Sequence, residues 1–268
     1  MNNQIVEELE EHQDLSIKPL VSFGVLTDIQ YADVEDGKSY DGKRNRYYRN
    51  SLNLVKEAVS NWKSYEISNQ TKLKFIIQLG DFVDAKAKAI NDSIPSMHRI
   101  IRELNNLFEG EPNDTINRPK LLHIWGNHEM YNFKRVDLVN LELNTSKFLN
   151  NQESIERKSN FYTYEITEKL SLICLDYYEF SAIGYDEDDE TYKQALAYLM
   201  THNKNQDLNS VEGLRGHAQR FSKFNGSLSE YQLNWLKRQL NYCKDNNKKV
   251  IICGHIPIHA QASDPMCK

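Results

Sequence analysis

Four short apolar runs in this chain each lead into a side chain that can bind a metal ion. The runs and the side chains that follow them are 21–26 with Asp28, 74–79 with Asp81, 121–125 with Asn127, and 250–253 with His255. A glycine stands directly before three of the four side chains, where it permits a tight turn and a close approach of the backbone. Because the carboxyl ends of parallel strands lie at one edge of a sheet, the repetition predicts an α/β fold in which these side chains share one crevice.

Each of these endings, taken alone, also has a purely structural explanation. Asp28 could cap the next turn, and residues 126–129, Gly-Asn-His-Glu, could simply close a strand. The joint pattern is more specific than its parts, because the side chains have complementary chemistry. Asn127 offers a neutral oxygen to a metal, and His128 can donate a proton to a departing oxygen. Gln30 is expected to point the same way as Asp28.

The composition is typical of a single domain that acts on small molecules. The 268 residues are 40% apolar, and the net charge of −5 with a pI near 5.9 argues against an extended nucleic-acid surface. The first twenty residues lack the features of a secretory signal, and no run is long and apolar enough to span a bilayer. Four scattered cysteines predict reduced thiols rather than a zinc site. We therefore expect a cytoplasmic, monomeric protein without membrane or nucleic-acid partners.

The remaining apolar segments predict helices and a second sheet around these strands. Segments with a helical spacing of apolar residues are 46–62, 97–108, 136–149, and a helix opened by the capping box of Ser229 and Gln232. Residues 161–166 and 170–175 predict a hairpin, which indicates a second, partly antiparallel sheet.

One long polar segment, 181–226, predicts a lid-like insertion. Its acidic run at 186–190 is expected to be a solvated loop, since consecutive carboxylates cannot all face one ion. His217 and Arg220 are candidates for phosphate contacts in this segment. The expected organisation is a polar tail at 1–20 followed by one domain at 21–268.

The spaced blocks resemble a known family. Asp28-x-Gln30, Gly80-Asp81-x-x-Asp84, the tetrad at 126–129 and Gly254-His255 resemble the ordered blocks of the calcineurin-like metallophosphoesterases. Within that superfamily, 28–33, 225–236 and 254–259 are similar to the manganese-dependent ADP-ribose/CDP-alcohol diphosphatases. The resemblance implies a four-layer α-β-β-α sandwich of two mixed sheets. It also implies two divalent metal ions at the strand ends, Mn²⁺ first and Mg²⁺ as the alternative.

The resemblance further implies a metal-binding role for five residues. Asp28 and Gln30 would bind one metal, and Asn127 with His255 would bind the other. Asp81 would bridge both ions and act in catalysis. In the broader superfamily a histidine usually stands where this chain has Gln30, and an amide oxygen favours Mn²⁺ or Mg²⁺ over Zn²⁺.

Other roles follow from the same resemblance. His128 would stay off the metals and stabilise or protonate the leaving oxygen. Asp84 and Glu129 would orient the ligands. Tyr40, His259 and Cys267 could line the nucleotide pocket, Tyr40 by stacking on a base.

The implied reaction is hydrolysis of a diphosphate bond by a water that the two metals activate. ADP-ribose would give AMP and ribose 5-phosphate, and CDP-choline or another CDP-alcohol would give CMP and a phosphoalcohol. A phosphomonoesterase or cyclic-nucleotide phosphodiesterase would use the same metal ligands and remains open.

One element of the family pattern is absent from the sequence. No Gly-His-x-His block follows His255, so each metal would lack an expected ligand and the sheet would lack its C-terminal strands. We therefore expect a C-terminally incomplete domain with weaker metal binding and reduced turnover. A catalytically impaired chain acting as a binding module is the alternative from another class.

Overall fold

The computed structural model describes residues 19–39, 42–109 and 120–257. The strands within them are β1 (Ser22–Leu26), β2 (Gly37–Lys38), β3 (Asn45–Arg46), β4 (Leu73–Gln78), β5 (Leu121–His123), β6 (Tyr162–Thr167), β7 (Leu170–Cys174), β8 (Phe180–Ser181), β9 (Gly226–Ser227) and β10 (Lys249–Cys253). The helices are α1 (Asn50–Asn69), α2 (Ala85–Ala89), α3 (Ser93–Asn105), α4 (Asn127–Asn132), α5 (Arg135–Leu138), α6 (Thr145–Phe148), α7 (Gln152–Glu156), α8 (Glu190–His202) and α9 (Glu230–Asp245).

The first sheet has the order β1-β4-β5, and all of its described pairs are parallel. One of its faces packs on α1 and α3, where Val55 and Ile100 join Ile76 in a single buried cluster. Helix α1 is tied to β4 by the buried Glu66, whose carboxylate accepts the Leu73 N–H at 2.8 Å. The three strands therefore end at the same edge of the sheet, as the sequence pattern predicts.

The second sheet has the order β10-β7-β6 and is mixed, with β10 parallel and β6 antiparallel to β7. Its inner face meets the first sheet, and the rings of Phe75 and Tyr164 lie edge to face at 5.2 Å between centroids. Its outer face packs on α9 through Phe161 and Trp235, whose ring centroids are 4.8 Å apart. The predicted four-layer sandwich is confirmed.

One segment differs from the sequence prediction, and another contains secondary structure that the prediction did not specify. Residues 136–149 do not form one helix, because a turn interrupts them and the Asn144 side chain caps a new helix, α6, by accepting the Lys147 N–H. The segment 181–226, which was predicted as a lid-like insertion, contains α8, and β8 pairs with β9 where the segment begins and ends. The acidic run at 186–190 leads into α8. Asp189 caps this helix by accepting the Thr191 N–H. No helix in the described parts of the chain has the length and apolar character needed to cross a membrane.

Candidate metal centre

Two loops at the carboxyl edge of the first sheet have an unusual backbone. Asp28, Gln30 and Asp81 have φ angles of 52°, 42° and 59°, in the left-handed region that non-glycine residues rarely adopt. The two loops support each other, because the Asp28 N–H donates to Gly80 O at 3.1 Å and the Gln30 N–H donates to Asp81 O at 2.9 Å. Left-handed backbone at three neighbouring polar residues is the kind of strain that clusters at functional sites.

The loops bring together side chains from three strand ends. Donor atoms of Asp28, Asp81 and His255 all lie within 4.8 Å of one another. Asp81 is only 3% exposed, and its Oδ1 lies 3.6 Å from Nε2 of His255. One exposed carboxylate, one buried carboxylate and a partly buried imidazole at this separation are a donor set suited to a divalent cation.

Gln30 completes this group from the side of β1. Its Nε2 donates to Asp81 Oδ2 at 3.0 Å and to Asp28 Oδ1 at 3.3 Å, so the amide N–H group lies between two carboxylates, where a cation would be attracted. Its Oε1 is buried without a hydrogen-bond partner among the described residues. A half-turn of the amide exchanges nitrogen and oxygen, and it would direct the unpartnered oxygen at the place between the carboxylates. The site therefore fits a metal ion that accepts an amide oxygen.

His255 is oriented by the backbone of β4. Its Nδ1 donates to Leu79 O at 2.8 Å, which leaves the Nε2 lone pair free to bind a metal. Burial opposes protonation of this imidazole, but the carboxylates of Asp81 and Asp28 outweigh it and raise the pKa of His255. The same negative field would attract a cation.

Asn127 begins α4 at the end of β5, and its amide has two tyrosine partners. The Tyr178 hydroxyl donates to Asn127 Oδ1 at 3.4 Å, and Tyr131 is also hydrogen-bonded to the Asn127 side chain. Burial raises the pKa of Tyr131 to about 12, so its hydroxyl stays protonated at neutral pH. The ring of Tyr178 also lies 6.0 Å from that of His255, so this tyrosine contacts two candidate ligands.

His128 lies beside the cluster rather than within it. Its Nδ1 accepts the Ala85 N–H at 3.1 Å, so in the neutral imidazole the proton is on Nε2. This Nε2 is 3.9 Å from Asp81 Oδ2, and Nδ1 is 3.5 Å from Asp84 Oδ2. The backbone N–H of His128 donates to Asp81 Oδ1 at 2.8 Å, which holds the carboxylate in place.

Glu129 connects the loop that carries Asp81 with the turn at Gly126. Its carboxylate, 2% exposed, accepts the N–H groups of Asp81 at 2.9 Å, Phe82 at 2.7 Å and Gly126 at 2.6 Å. Burial and the nearby Asp81 raise the pKa of Glu129, while the three N–H donors oppose that shift. Both oxygens are thus engaged with backbone, and Glu129 orients the loops.

Two glycines are required by close contacts at the site. A Cβ on Gly126 would lie 2.3 Å from Asp81 Oδ1, and one on Gly80 would lie 2.4 Å from His255 Nδ1. Gly80 also has a φ of 107°, which side chains disfavour. Because glycine has no side chain, the Asp81 carboxylate can approach the backbone at Gly126, and the His255 imidazole can approach the backbone at Gly80.

Of the remaining sequence candidates, Asp84 caps α2 by accepting the Lys86 N–H at 2.8 Å. Two histidines outside the candidate set have structural surroundings: His98 pairs with Glu142 at the surface, and His123 is buried, which lowers its pKa to about 4. Tyr40, His259 and Cys267 lie outside the described residues. Arg220 lines a cavity of about 860 Å³ together with residues of α8 and of the start of α9.

Sequence reasoning missed the support that comes from the second sheet. Tyr178 follows β7, whose partner β10 leads to His255, so a search of every strand end would have found it. Its position is fixed by Asp176, which accepts the Tyr178 N–H at 2.9 Å and is held by the buried Arg135 through two hydrogen bonds of 2.8 and 3.0 Å. This pair is not visible as a motif, because its members are 41 residues apart.

Comparisons with known proteins agree with this geometry. A model of the calcineurin-like phosphoesterase family matches residues 21–267. The manganese-dependent ADP-ribose/CDP-alcohol diphosphatase of Bos taurus is 39% identical over 267 residues, covering 97% of this chain and 74% of the bovine protein. The protein of the same name from Homo sapiens is 36% identical over 259 residues, covering 94% and 70%. A crystal structure of a dimetal phosphatase from Danio rerio is similar with a TM-score of 0.81 and 34% identity, covering 93% of this chain and 74% of that one.

Proposed function

The chain belongs to the calcineurin-like phosphoesterases, in the family of manganese-dependent ADP-ribose/CDP-alcohol diphosphatases, and on that premise we propose that it hydrolyses the diphosphate bond of nucleoside diphosphate-linked compounds. ADP-ribose would give AMP and ribose 5-phosphate, and CDP-alcohols would give CMP and a phosphoalcohol. The free thiols of Cys174, Cys243 and Cys253 support a reducing, cytoplasmic setting for this enzyme.

Five side chains are proposed to hold two manganese ions. Asp28 and Gln30 would bind one ion and Asn127 with His255 the other, with Asp81 between the two pairs. The short distances from Asp81 to Gln30 and His255 support this assignment. When bound, the ions would polarise the phosphoryl oxygens and make a water molecule nucleophilic near neutral pH.

The protein's own groups have separate tasks in the proposed reaction. His128 would hold its proton on Nε2, where it can be donated to the departing phosphate oxygen, because the Ala85 N–H occupies Nδ1. Tyr178 and Tyr131 would direct the Asn127 amide by hydrogen bonding to it. Glu129 would keep the loops of Asp81 and Gly126 at a fixed distance through its three backbone contacts.

The single observation that carries the proposal is the Gln30 amide, whose nitrogen lies between two carboxylates and whose buried oxygen has no hydrogen-bond partner among the described residues. A structural role alone would leave this oxygen with an uncompensated desolvation cost. The test is release of AMP from ADP-ribose by the purified chain with Mn²⁺, with Mg²⁺, and with a chelator. Mn²⁺-dependent AMP release supports the proposal, and its absence from the folded, Mn²⁺-saturated chain contradicts it.

A further inference from the structure

A buried ion pair joins α5 to the segment that follows β7, and it has no task in the proposed reaction. The side chains of Arg135 and Asp176 are 1% and 0% exposed, and they form two hydrogen bonds of 2.8 and 3.0 Å. Such a pair adds little net stability over apolar side chains of the same volume, because the loss of hydration offsets the attraction. Its two parallel bonds do fix the distance and the angle between the two segments.

Arg135 contacts the strand end that leads to Asn127. Its guanidinium carbon lies 5.4 Å from the centroid of the Trp125 ring and 5.0 Å from that of Tyr185. Trp125 is 1% exposed, and its ring N–H donates to Leu143 O at 2.8 Å. Because Trp125 stands two residues before Asn127, a shift of the indole would move the backbone that begins α4.

Asp176 holds the turn that carries Tyr178. Its carboxylate accepts the Tyr178 N–H at 2.9 Å and the Asn160 N–H at 3.1 Å. The Gln232 side chain accepts the Asp176 N–H at 2.9 Å and donates to Asp176 O at 3.0 Å, so the backbone of the turn is fixed as well. From this turn the Tyr178 hydroxyl reaches Asn127 Oδ1 at 3.4 Å. The position of the Asn127 amide therefore depends on where Asp176 is held.

The candidate ligands of the first sheet are supported in another way. The Asp28 N–H donates to Gly80 O at 3.1 Å, and Glu129 accepts the Asp81 N–H at 2.9 Å. The ion pair takes no part in these bonds. A change in the pair should therefore disturb the Asn127 end of the site first.

We propose that Arg135 is a positioning residue for the metal ion that Asn127 would bind. The inference rests on the metal assignment in the proposed function. Arg135 is too deeply buried to touch a metal ion or a substrate, so it acts through Trp125 on one side and through the Asp176 turn on the other. In this way it sets the separation between the ends of β5 and β7, from which the Asn127 amide and its Tyr178 partner come.

The test is titration of the purified chain with Mn²⁺ after removal of metal. The electron paramagnetic resonance signal of free Mn²⁺ gives the number and the Kd of the bound ions. The first variant is Arg135→Lys, which keeps the positive charge but loses the flat guanidinium and its two parallel bonds. Asn127→Ala identifies which of the two binding steps belongs to Asn127. Circular dichroism and urea unfolding establish that each variant is folded.

We expect Arg135→Lys to raise the Kd of one Mn²⁺ about 10–100-fold, the usual effect of losing a group that orients a ligand. The Kd of the other ion should stay within about twofold, a small change on the free-energy scale. The weakened step is the one that Asn127→Ala removes, so in an Asn127→Ala background Arg135→Lys has no further effect on the remaining ion. Tyr178→Phe, which removes only the hydroxyl, weakens the same step.

Two control variants separate positioning from a general loss of stability. Leu73→Ala leaves a cavity at the amino end of β4, opposite to the end that carries the metal centre, and lowers stability. Arg238→Lys makes the same chemical change in an exposed ion pair with Glu153. Both controls should keep both Kd values within about twofold. If Arg135→Lys does not fold, the double variant Arg135→Gln/Asp176→Asn removes both charges together, and the same selective weakening is expected.

Three results overturn the inference: unchanged Kd values in the folded Arg135 variant, equal weakening of both ions, or an effect of Arg135→Lys that persists in the Asn127→Ala background. The same samples separate this inference from the proposed function. A chain that shows the expected Mn²⁺ binding in all variants but releases no AMP from ADP-ribose contradicts the function alone. A chain that hydrolyses ADP-ribose with Mn²⁺, while Arg135→Lys leaves both Kd values unchanged, contradicts the role of Arg135 alone.

Discussion

Replacement of Glu129 by glutamine tests whether this carboxylate holds the two metal-binding loops together. It accepts three backbone N–H groups, with Asp81 and Gly126 on Oε2 and Phe82 on Oε1. Glutamine keeps the shape but offers only one oxygen. With that oxygen at the Oε2 position, its NH₂ group faces the Phe82 N–H, and one buried donor loses its partner.

The expected cost can be worked out from these contacts. A buried, unsatisfied N–H costs about 1–3 kcal/mol, and the two remaining bonds each lose about 1 kcal/mol of charge assistance. Relief of the desolvation that raises the pKa of Glu129 offsets part of this loss. We expect the free energy of unfolding to fall by about 2–4 kcal/mol, or the melting temperature by roughly 5–15 °C in a chain of this size. Manganese affinity should fall about 10–100-fold, as for other residues that orient metal ligands.

The assay has two parts and one control. Stability is measured by urea unfolding in the presence of chelator, so that metal binding does not contribute, and Mn²⁺ affinity is measured by the electron paramagnetic resonance signal of free Mn²⁺. Glu57→Gln, on the exposed side of α1, is the matched control. If Glu129→Gln unfolds within about 0.5 kcal/mol of the wild type, the range of ordinary surface substitutions, and binds Mn²⁺ normally, the reasoning is refuted.

Two further substitutions separate metal binding from proton transfer. His128→Ala should lower kcat by about 10²–10⁴-fold, the usual contribution of a general acid, while the free-Mn²⁺ signal shows nearly unchanged binding; a comparable loss of Mn²⁺ affinity would instead make His128 a ligand. Gln30→His should shift the metal preference toward Zn²⁺, because it replaces a hard amide oxygen with a borderline nitrogen; an unaltered ratio of Zn²⁺ to Mn²⁺ affinity would show that the Gln30 side chain does not bind the metal.

The layers of the fold could be predicted because their signals are local. Each strand of the first sheet is an apolar run that ends near a polar side chain, and parallel strands place such ends together. The turn that interrupts 136–149 could not be predicted in this way, because the apolar residues keep their helical spacing through the turn. The new helix starts there because the Asn144 side chain caps it. The order of the four layers was predicted from the resemblance to a known family and not from the periodicity of apolar residues. Periodicity carries no information on how two sheets face each other.

The site could be predicted only in part, for the same physical reason. The sequence indicates three of the candidate ligands because they follow predicted strands: Asp28, Asp81 and His255. Their donor atoms lie within 4.8 Å of one another. The left-handed backbone at Asp28, Gln30 and Asp81 has no sequence signal, because it depends on hydrogen bonds between two loops that are far apart in sequence. Tyr178 is likewise placed by contacts between separate parts of the fold.

The most direct test of the account is to measure bound Mn²⁺ and AMP release on the same samples of wild type and Asp81→Asn. Asparagine keeps the shape of the side chain but removes the charge that lies between His255 and Gln30. Asp245→Asn, at the exposed end of α9, is the control. We predict that AMP release follows Mn²⁺ occupancy in the wild type and the control, and that Asp81→Asn loses both. Full hydrolysis of ADP-ribose by Asp81→Asn, or by the wild type stripped of metal, would contradict the account.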